Sequence, residues 1–326
     1  MAEISKAFLL QLYTMMLKIR LCEESLVQPI IDGQIRCPCH LYSGEEAIAV
    51  GVCAALEPKD AVYGNHRSHG HFLAKGGSMD AMVAEIYGKE TGCSKGRGGS
   101  MHLIDTSVGM MGSAPIVAGT ISLAVGSALC SSIRQEDFVS VAFFGDGATN
   151  EGVLFESMNF AALKHLPVLF VCENNFYSTH MPVKECRPDI PVHKMADALG
   201  IHNKLVDGND VLEVYQAAVE SEDLCRKGGG PAFLECHTYR LRGHVGPDDN
   251  IQGTHTDIRP AEEMAQWRLK DPLIRLEKYL IENNIAEKGD LLKINDQLKI
   301  EITEAHDFAN NSPYPDEKEL SDYVFK

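Results

Sequence analysis

The sequence has 326 residues, of which 44% are hydrophobic and 23% charged, and its formal net charge is −16. This hydrophobic content excludes an intrinsically disordered chain, and the length suits one large α/β domain or two smaller ones. Because the charge is strongly negative and no long run of Lys or Arg occurs, nucleic acid and anionic membrane surfaces are poor partners. Ten cysteines at irregular spacings are typical of a reducing cytoplasm rather than of a disulfide scaffold.

The N-terminal segment is predicted to be a helix. Apolar residues at helical spacing run through residues 5–29, and the pattern stops near Gly33. Residues 1–6 have the character of neither a signal peptide nor a transit peptide, which agrees with the expected cytoplasmic location.

Shorter elements follow along the chain. Ser43 and Glu46 form a candidate capping box for a helix that continues through Leu56. A short strand is predicted over residues 61–63. Ser78 is a candidate cap for the next helix, which ends at Tyr87.

Residues 88–119 are rich in glycine and are predicted to form a long functional loop. Residues 106–133 carry no charge and would be long enough to cross a membrane. Glycines and Pro115 interrupt this segment, so we do not predict a membrane span. A glycine-rich loop that leads into a buried helix of small residues is the better interpretation.

The middle of the chain has an α/β pattern. Continuous apolar runs indicate parallel strands that are covered on both faces, and helical segments separate them. The predicted order is a strand over 138–144, a helix over 151–165, a strand over 167–172, a strand over 204–206, a helix over 211–225 and a strand over 231–239. This order predicts a mainly parallel sheet with helices on both faces.

The predicted organisation is a single α/β domain over residues 1–326. It includes an N-terminal helix within residues 1–35. After Arg259 the composition becomes polar, acidic and helical, which predicts a helical C-terminal extension over residues 260–326.

Two predicted strands end in polar residues that suit a metal and a diphosphate. Asp146 lies between two glycines directly after an apolar strand, and the next strand ends at Asn174 and Asn175. Carboxyl ends of parallel strands are where ligands bind in such sheets, and oxygen ligands of this kind suit Mg²⁺. Taken alone, the Gly-Asp-Gly sequence could be a simple strand-to-helix turn. The 26 residues between Gly147 and Asn174 match the spacing of the thiamine diphosphate motif.

Several further motifs resemble one family, the alpha subunits of thiamine-dependent 2-oxo acid dehydrogenases that act on pyruvate, branched-chain oxo acids or acetoin. The resemblance runs from about Leu17 to the C-terminus. It implies a thiamine diphosphate-binding fold. Its motifs are His40-Leu-Tyr-Ser-Gly-Glu-Glu-Ala47, Asn65-His-Arg-Ser-His-Gly-His71, Gly92-Cys-Ser-Lys-Gly-Arg-Gly-Gly-Ser-Met-His102, Gly145-Asp-Gly-Ala-Thr-Asn-Glu-Gly152, Cys172-Glu-Asn-Asn175 and Tyr239-Arg-Leu-Arg-Gly-His244.

The resemblance assigns residues to thiamine diphosphate and Mg²⁺. The metal ligands it implies are the side chains of Asp146 and Asn175 and the backbone carbonyl of Tyr177. The other residues it places against the cofactor are His66, Arg67, Pro115, Val117, Gly147, Ala148 and His244. A guanidinium such as that of Arg67 suits this role because its fork matches phosphate oxygens.

The resemblance also implies three catalytic histidines. His40 matches the active-site histidine near the substrate, His69 is expected to order a loop there, and His244 pairs with the phosphates. Cys37 and Cys39 precede His40 and could suggest zinc. A structural zinc site needs four ligands, and no second pair has the required spacing.

The family supplies the glutamate that activates the cofactor from a beta subunit. We therefore expect an α2β2 tetramer that delivers its acyl group to a lipoyl-bearing acyltransferase core, and an isolated chain that is nearly inert. The sequence departs from the family pattern at Pro38 and at residues 115–118, where two glycines are lost. These departures leave open a thiamine-dependent step with another acceptor, of transketolase or decarboxylase type. A non-catalytic scaffold for the beta subunit is the third alternative.

Overall fold

The centre of the fold is a sheet of six parallel strands, in a computed structural model that describes residues 4–246, 259–319 and 321–322. The strands are β1 (Ala61–Gly64), β2 (Met110–Ser113), β3 (Ser140–Gly145), β4 (Val168–Asn174), β7 (His202–Asp207) and β8 (Ala232–His237). Their order across the sheet is β2-β1-β3-β4-β8-β7. A separate antiparallel ribbon is formed by β5 (Tyr177–Ser178) and β6 (Met181–Pro182).

Helices surround this sheet. In chain order they are α1 (Lys6–Ser25), α2 (Val27–Ile31), α3 (Glu46–Ala55), α4 (His69–Ala74), α5 (Met79–Ile86), α6 (Ile121–Arg134), α7 (Gly152–Lys164), α8 (Val183–Cys186), α9 (Val211–Arg226), α10 (Ala261–Arg268), α11 (Pro272–Glu282) and α12 (Lys288–Asn311). Within the described residues, no helix is both long enough and apolar enough to cross a membrane.

The apolar runs become strands because both faces of the sheet are covered. Along β3, Val141 and Phe143 pack into one apolar cluster, which also holds residues of α1, α3, α5 and α9. Ala142 and Phe144 face the other cluster, with residues of α6 and α7. This confirms the predicted α/β class and the mainly parallel sheet with helices on both faces.

One close helix contact depends on a glycine. At Gly51 in α3, a Cβ atom would lie 2.7 Å from the side chain of Val214 in α9. Only a residue without a side chain allows this approach. The helices that follow Arg259 pack outside this layer, where α12 contacts α5 and α1.

The N-terminal helix and its neighbour differ from the prediction. The predicted helix over 5–29 is two helices, α1 and α2, joined at Leu26. The capping box was wrong, because the Ser43 hydroxyl donates to the Glu24 carboxylate at 2.8 Å and caps nothing. The Glu46 carboxylate instead accepts hydrogen bonds from the Arg20 guanidinium and from the Gly44 N–H. By contrast, Ser78 caps α5 as predicted.

The glycine-rich segment over 88–119 is more ordered than a loop. It contains the edge strand β2 and two short 3-10 turns, over 99–101 and 106–108. A buried carboxylate, that of Glu85, accepts backbone N–H groups from the segment, at 2.7–3.0 Å; these belong to Ser94, Gly96, Gly98 and Gly99. Hydrogen bonds to a charged acceptor therefore hold the segment in place.

Candidate cofactor site

A cleft opens at the carboxyl ends of β3 and β4. It has a volume of about 650 Å³, which includes space open to solvent. Nine of the predicted cofactor residues line it: His66, Arg67, Val117, Asp146, Gly147, Ala148, Asn175, Tyr177 and His244. Segments far apart in the sequence therefore meet at the sheet edge that the parallel order predicts.

Asp146 is a buried carboxylate with an unused oxygen. It begins a 3-10 turn directly after β3, and its side chain is 2% exposed. Its Oδ2 atom has no hydrogen-bond partner among the residues that the structure describes. Burial raises the pKa of the Asp146 carboxyl to about 6, although Arg240 and Arg187 oppose the shift. A cation beside Oδ2 would remove the penalty of holding this charge away from water.

Asn175 directly follows β4, the strand that pairs with β3. Its Nδ2 donates to Oε1 of Glu45 at 2.9 Å, and its Oδ1 accepts from the Tyr177 N–H at 3.2 Å. An amide oxygen has two lone pairs, so Oδ1 retains one for a metal. Glu45 fixes the orientation of this amide, and it belongs to the residues that sequence reasoning missed.

Arg67 is held by the protein itself. Its guanidinium donates to the carbonyl oxygens of Leu41, at 2.7 Å, and His244, at 3.0 Å, and its Nε lies 3.4 Å from Oε2 of Glu45. Burial raises the pKa of the Glu45 carboxyl, and Arg67 opposes that effect. The interactions of Arg67 therefore join the His40 segment to the segment around His244.

Arg240 is a second buried guanidinium in the cleft, and the sequence prediction did not include it. Its Nη2 donates to the Thr179 carbonyl at 3.0 Å, whereas its Nη1 has no partner within the described part of the chain. Burial, together with the positive charges of Arg67 and Arg259, lowers the pKa of Arg240 to about 9. A buried cation with a free donor favours an anionic ligand. The signal in the sequence was its position within the motif that ends at His244.

Three histidines form a cluster beside the cleft. The ring of His40 lies 4.6 Å from that of His66 and 4.9 Å from that of His244, measured between centroids. Burial is the main cause that lowers the pKa of His66 to about 3 and that of His244 to about 2, and Arg67 adds to it. The pKa of His40 is also held far below its usual range by burial. All three imidazoles are therefore neutral at neutral pH.

His40 is 8% exposed and does not line the cleft, but it packs behind the two histidines that do. No described residue offers a hydrogen-bond partner to its Nδ1 atom. The ring of His180 also contacts His244, with 5.9 Å between centroids. Sequence reasoning missed His180 because it lies outside every recognised motif.

The structure does not bring His69 and Pro115 into the cleft lining. His69 is fully buried, with Nδ1 against the Glu23 carboxylate at 2.9 Å and Nε2 against the Ser100 hydroxyl at 2.8 Å. Both ring nitrogens are used by the protein, and the bond to Ser100 lies within the 88–119 segment, so the predicted ordering role of His69 stays a prediction. Pro115 lies two positions before Val117, which does line the cleft.

The loop over 115–118 shows the consequence of the lost glycines. Ala118 has φ = +62°, a left-handed conformation that glycine adopts freely and that costs an alanine roughly 1 kcal/mol. Gly147 is retained where space is limited, because a Cβ atom there would lie 2.5 Å from the Ser178 hydroxyl.

Glu173 forms the floor of the cleft and was not predicted as a site residue. Its carboxylate accepts hydrogen bonds from the hydroxyl of Tyr42, from Nδ2 of Asn65 at 3.1 Å and from Nε2 of His71 at 2.8 Å. The Asn65 side chain in turn accepts the Arg67 N–H at 2.7 Å. Glu173 thus supports the backbone that presents Arg67.

Comparison with known proteins agrees with this geometry. Residues 13–318 match the model of the family described as Dehydrogenase E1 component. The alpha subunit of acetoin:2,6-dichlorophenolindophenol oxidoreductase from Bacillus subtilis is 42% identical over 316 residues, which cover 97% of this chain and 93% of that protein. Two alpha subunits of the pyruvate dehydrogenase E1 component are each 38% identical. The one from Porphyra purpurea covers 99% of this chain and 94% of its own length, and the one from Zymomonas mobilis 96% and 87%.

The match covers nearly the whole chain and includes each segment that builds the cleft. The chain therefore belongs to the dehydrogenase E1 component family, a family of thiamine diphosphate-dependent oxidoreductases.

Proposed function

We propose that this chain is the alpha subunit of a thiamine diphosphate-dependent dehydrogenase that cleaves acetoin or a 2-oxo acid such as pyruvate. The observation that carries the proposal is one cleft in which a carboxylate and a guanidinium each retain an atom without a hydrogen-bond partner among the described residues. The Asp146 carboxylate offers a free oxygen and the Arg240 guanidinium a free N–H donor. A metal diphosphate is a ligand that uses both.

The donor set fits Mg²⁺. Oδ2 of Asp146, the second lone pair of Asn175 Oδ1 and the backbone carbonyl of Tyr177 would hold the ion, and all three residues line the cleft. These are hard oxygen ligands with a single formal charge. Diphosphate oxygens and water would complete the coordination that Mg²⁺ requires.

The remaining residues of the cleft fit the diphosphate. Arg67 and Arg240 supply buried positive charge, and His66 and His244 supply neutral rings beside them. Gly147, which has no side chain, allows the backbone to approach the phosphates. Val117, which is half-exposed at the rim of the cleft, is the apolar residue proposed to support the bent cofactor.

Thiamine diphosphate, when bound, supplies the carbanion chemistry that breaks a carbon–carbon bond. The chain supplies the surroundings. Neutral His40 and His244 are able to accept a hydrogen bond near neutral pH. His40 packs against the rings of His66 and His244, behind the cleft lining. We propose that it helps to orient the substrate and assists acyl transfer.

The remaining parts of the reaction are assigned to partners. The names of the relatives, as alpha subunits, support a beta subunit as partner. We propose an α2β2 assembly in which the beta subunit supplies the activating glutamate, and a lipoyl-bearing acyltransferase as the acceptor of the acyl group. On this proposal the isolated chain binds cofactor weakly and turns over no substrate.

The test is co-expression with the candidate beta subunit, followed by a dye-coupled assay with thiamine diphosphate and Mg²⁺. Acetoin, pyruvate and 2-oxoisovalerate are compared as substrates. Turnover of one of them, dependent on the beta subunit, is the expected result. Silence on all three with the cofactor bound would favour another acceptor, and silence without cofactor binding would favour a scaffold.

A histidine variant tests the site within the same assay. We expect His40→Ala to lower turnover by at least tenfold and to leave cofactor affinity unchanged, because His40 lies behind the cleft lining. His202→Ala, an exposed position on β7, is the matched control. Loss of cofactor affinity in His40→Ala would mean that His40 shapes the cofactor cleft instead.

A further inference from the structure

Two cysteines beside the cleft have no role in the proposed reaction. Cys37 and Cys39 are separated by Pro38, and their Sγ atoms lie 3.9 Å apart. Cys37 is half-buried, whereas Cys39 is 1% exposed. The segment from residue 35 to residue 40 contains no helix or strand, so no ladder of backbone hydrogen bonds holds it.

The two sulfur atoms have different surroundings. The Ser100 N–H donates to Sγ of Cys37 at 3.4 Å. Cys37 also lines a second open cleft, different from the cofactor cleft, together with Arg36, Arg97 and Gly99. Hydrogen bonding from the Cys39 thiol lowers the pKa of Cys37, and the Ser100 N–H adds to that effect. The pKa of Cys39 is raised by the same contact with Cys37 and by burial. The half-buried Cys37 sulfur, whose pKa is lowered, therefore lies next to the buried Cys39 thiol, an arrangement typical of an oxidant-sensitive pair.

We propose that Cys37 and Cys39 are a reversible oxidation site that reacts with hydroperoxides and closes to a disulfide. The Cys37 thiolate attacks a peroxide oxygen, the O–O bond breaks, and the leaving hydroxide takes up a proton to form water. Cys37 is then a sulfenic acid. The sulfur of Cys39 attacks that of Cys37 and loses its proton, and the sulfenic oxygen leaves as a second water. The two thiols supply the two electrons that reduce one hydrogen peroxide.

Formation of the disulfide would change the histidine cluster of His40, His66 and His244. The sulfur atoms must approach from 3.9 Å to the bonded distance of about 2 Å, so the backbone between residues 37 and 39 has to move. Cys39 is bonded directly to His40, whose ring packs against His66 and His244. The disulfide therefore displaces His40 and lowers turnover by about tenfold or more. This consequence rests on the proposed function, whereas the thiol chemistry does not.

The experiment uses the complex with the beta subunit, treated with hydrogen peroxide and then with iodoacetamide. Trypsin releases one peptide over residues 37–59, which also contains Cys53. We expect this peptide to lose the mass of two hydrogen atoms and to regain it after dithiothreitol. Cys53→Ser should still form the bond, Cys37→Ser should not, and Cys39→Ser should leave a sulfenic acid that dimedone traps.

The pH dependence of alkylation distinguishes this site from an ordinary thiol. The alkylation rate of Cys37 should have its midpoint below the ordinary thiol pKa of 9.0. Cys93 is the matched control in the same chain, since burial raises its pKa to about 11. Alkylation of both Cys37 and Cys39 after peroxide treatment would overturn the proposal, as would a Cys37 midpoint equal to that of Cys93.

The turnover measurement is separate. A disulfide that leaves turnover unchanged would overturn the link to His40. An enzyme inactive in its reduced form would contradict the proposed function, and the peptide masses would still decide the thiol chemistry.

Discussion

Replacing Asp146 by asparagine should stabilise the chain without ligands and abolish the stabilisation that ligands give. The wild-type carboxyl is buried with a pKa of about 6, against an ordinary value of 3.8. A raised pKa means that the folded state holds its proton more tightly than the unfolded state. The stability that this proton provides is complete below about pH 4 and is lost as the pH rises through 6.

The magnitude follows from these two values. At pH 8 the buried charge costs about 3 kcal/mol, and at pH 5 it costs roughly half as much. The asparagine removes this cost but places an amide N–H₂ without a partner, at about 1 kcal/mol at either pH. Asp146→Asn should therefore exceed wild type by about 2 kcal/mol at pH 8 and by less than about 1 kcal/mol at pH 5.

With Mg²⁺ and thiamine diphosphate the order should reverse. Ligand at a hundred times its dissociation constant adds about 2.7 kcal/mol to wild type and nothing to a variant that does not bind it. Trp267 is the single tryptophan, and its ring stacks on Tyr239 with 5.3 Å between centroids. Its fluorescence during urea unfolding reports on the fold close to Arg240.

Asp296→Asn, at an exposed position of α12, is the control for the loss of one carboxylate. The decisive comparison is the difference in unfolding free energy between Asp146→Asn and wild type at the two pH values. If that difference is the same at pH 5 and pH 8, the Asp146 carboxyl does not titrate between them. The account of the metal site as a buried charge in need of a cation would then be wrong.

Three further substitutions test the surroundings of Asp146. Arg240→Gln should weaken cofactor binding by about 2 kcal/mol, or about 30-fold, in a calorimetric titration, because it removes a charged donor; unchanged affinity would exclude Arg240 as a phosphate contact. Gly147→Ala should weaken binding because its Cβ would lie 2.5 Å from the Ser178 hydroxyl, and adding Ser178→Gly should restore it; a double variant as weak as the single one would contradict the steric reason. Glu173→Gln should lower the unfolding free energy by about 1–3 kcal/mol, since a carboxylate that accepts three hydrogen bonds becomes an amide. Urea unfolding measures this, and an unchanged unfolding free energy would contradict the supporting role of Glu173.

Much of the sheet could be predicted from the sequence because its strands are continuous apolar runs. Both β3 and β4 appear where such runs occur, and each ends at the polar residues that were singled out. The strand β2 was missed because it has only four residues, two of them methionine and one glycine. The capping box at Ser43 failed for a different reason, since a distant carboxylate, that of Glu24, takes the hydroxyl.

The site was predictable where a local motif encodes the contact. Asp146 and Asn175 follow strand ends, so their meeting follows from the parallel order. Glu173 and Glu45 were missed because their partners are far away in the sequence; the hydrogen bond between Asn175 and Glu45 spans 130 positions. No local pattern distinguishes a carboxylate that supports a site from one on the surface.

The absence of a bond between Asp146 and Arg240 is itself informative. Both are buried in one cleft, with charges of opposite sign, and each retains an atom without a hydrogen-bond partner. A direct ion pair would stabilise both groups, yet it would also fill the space between them. Separate positions leave room for a ligand that has a cation at one end and phosphate oxygens at the other. The two charges are buried at a cost in the free chain. A metal diphosphate removes this cost when it binds, and it therefore binds more tightly.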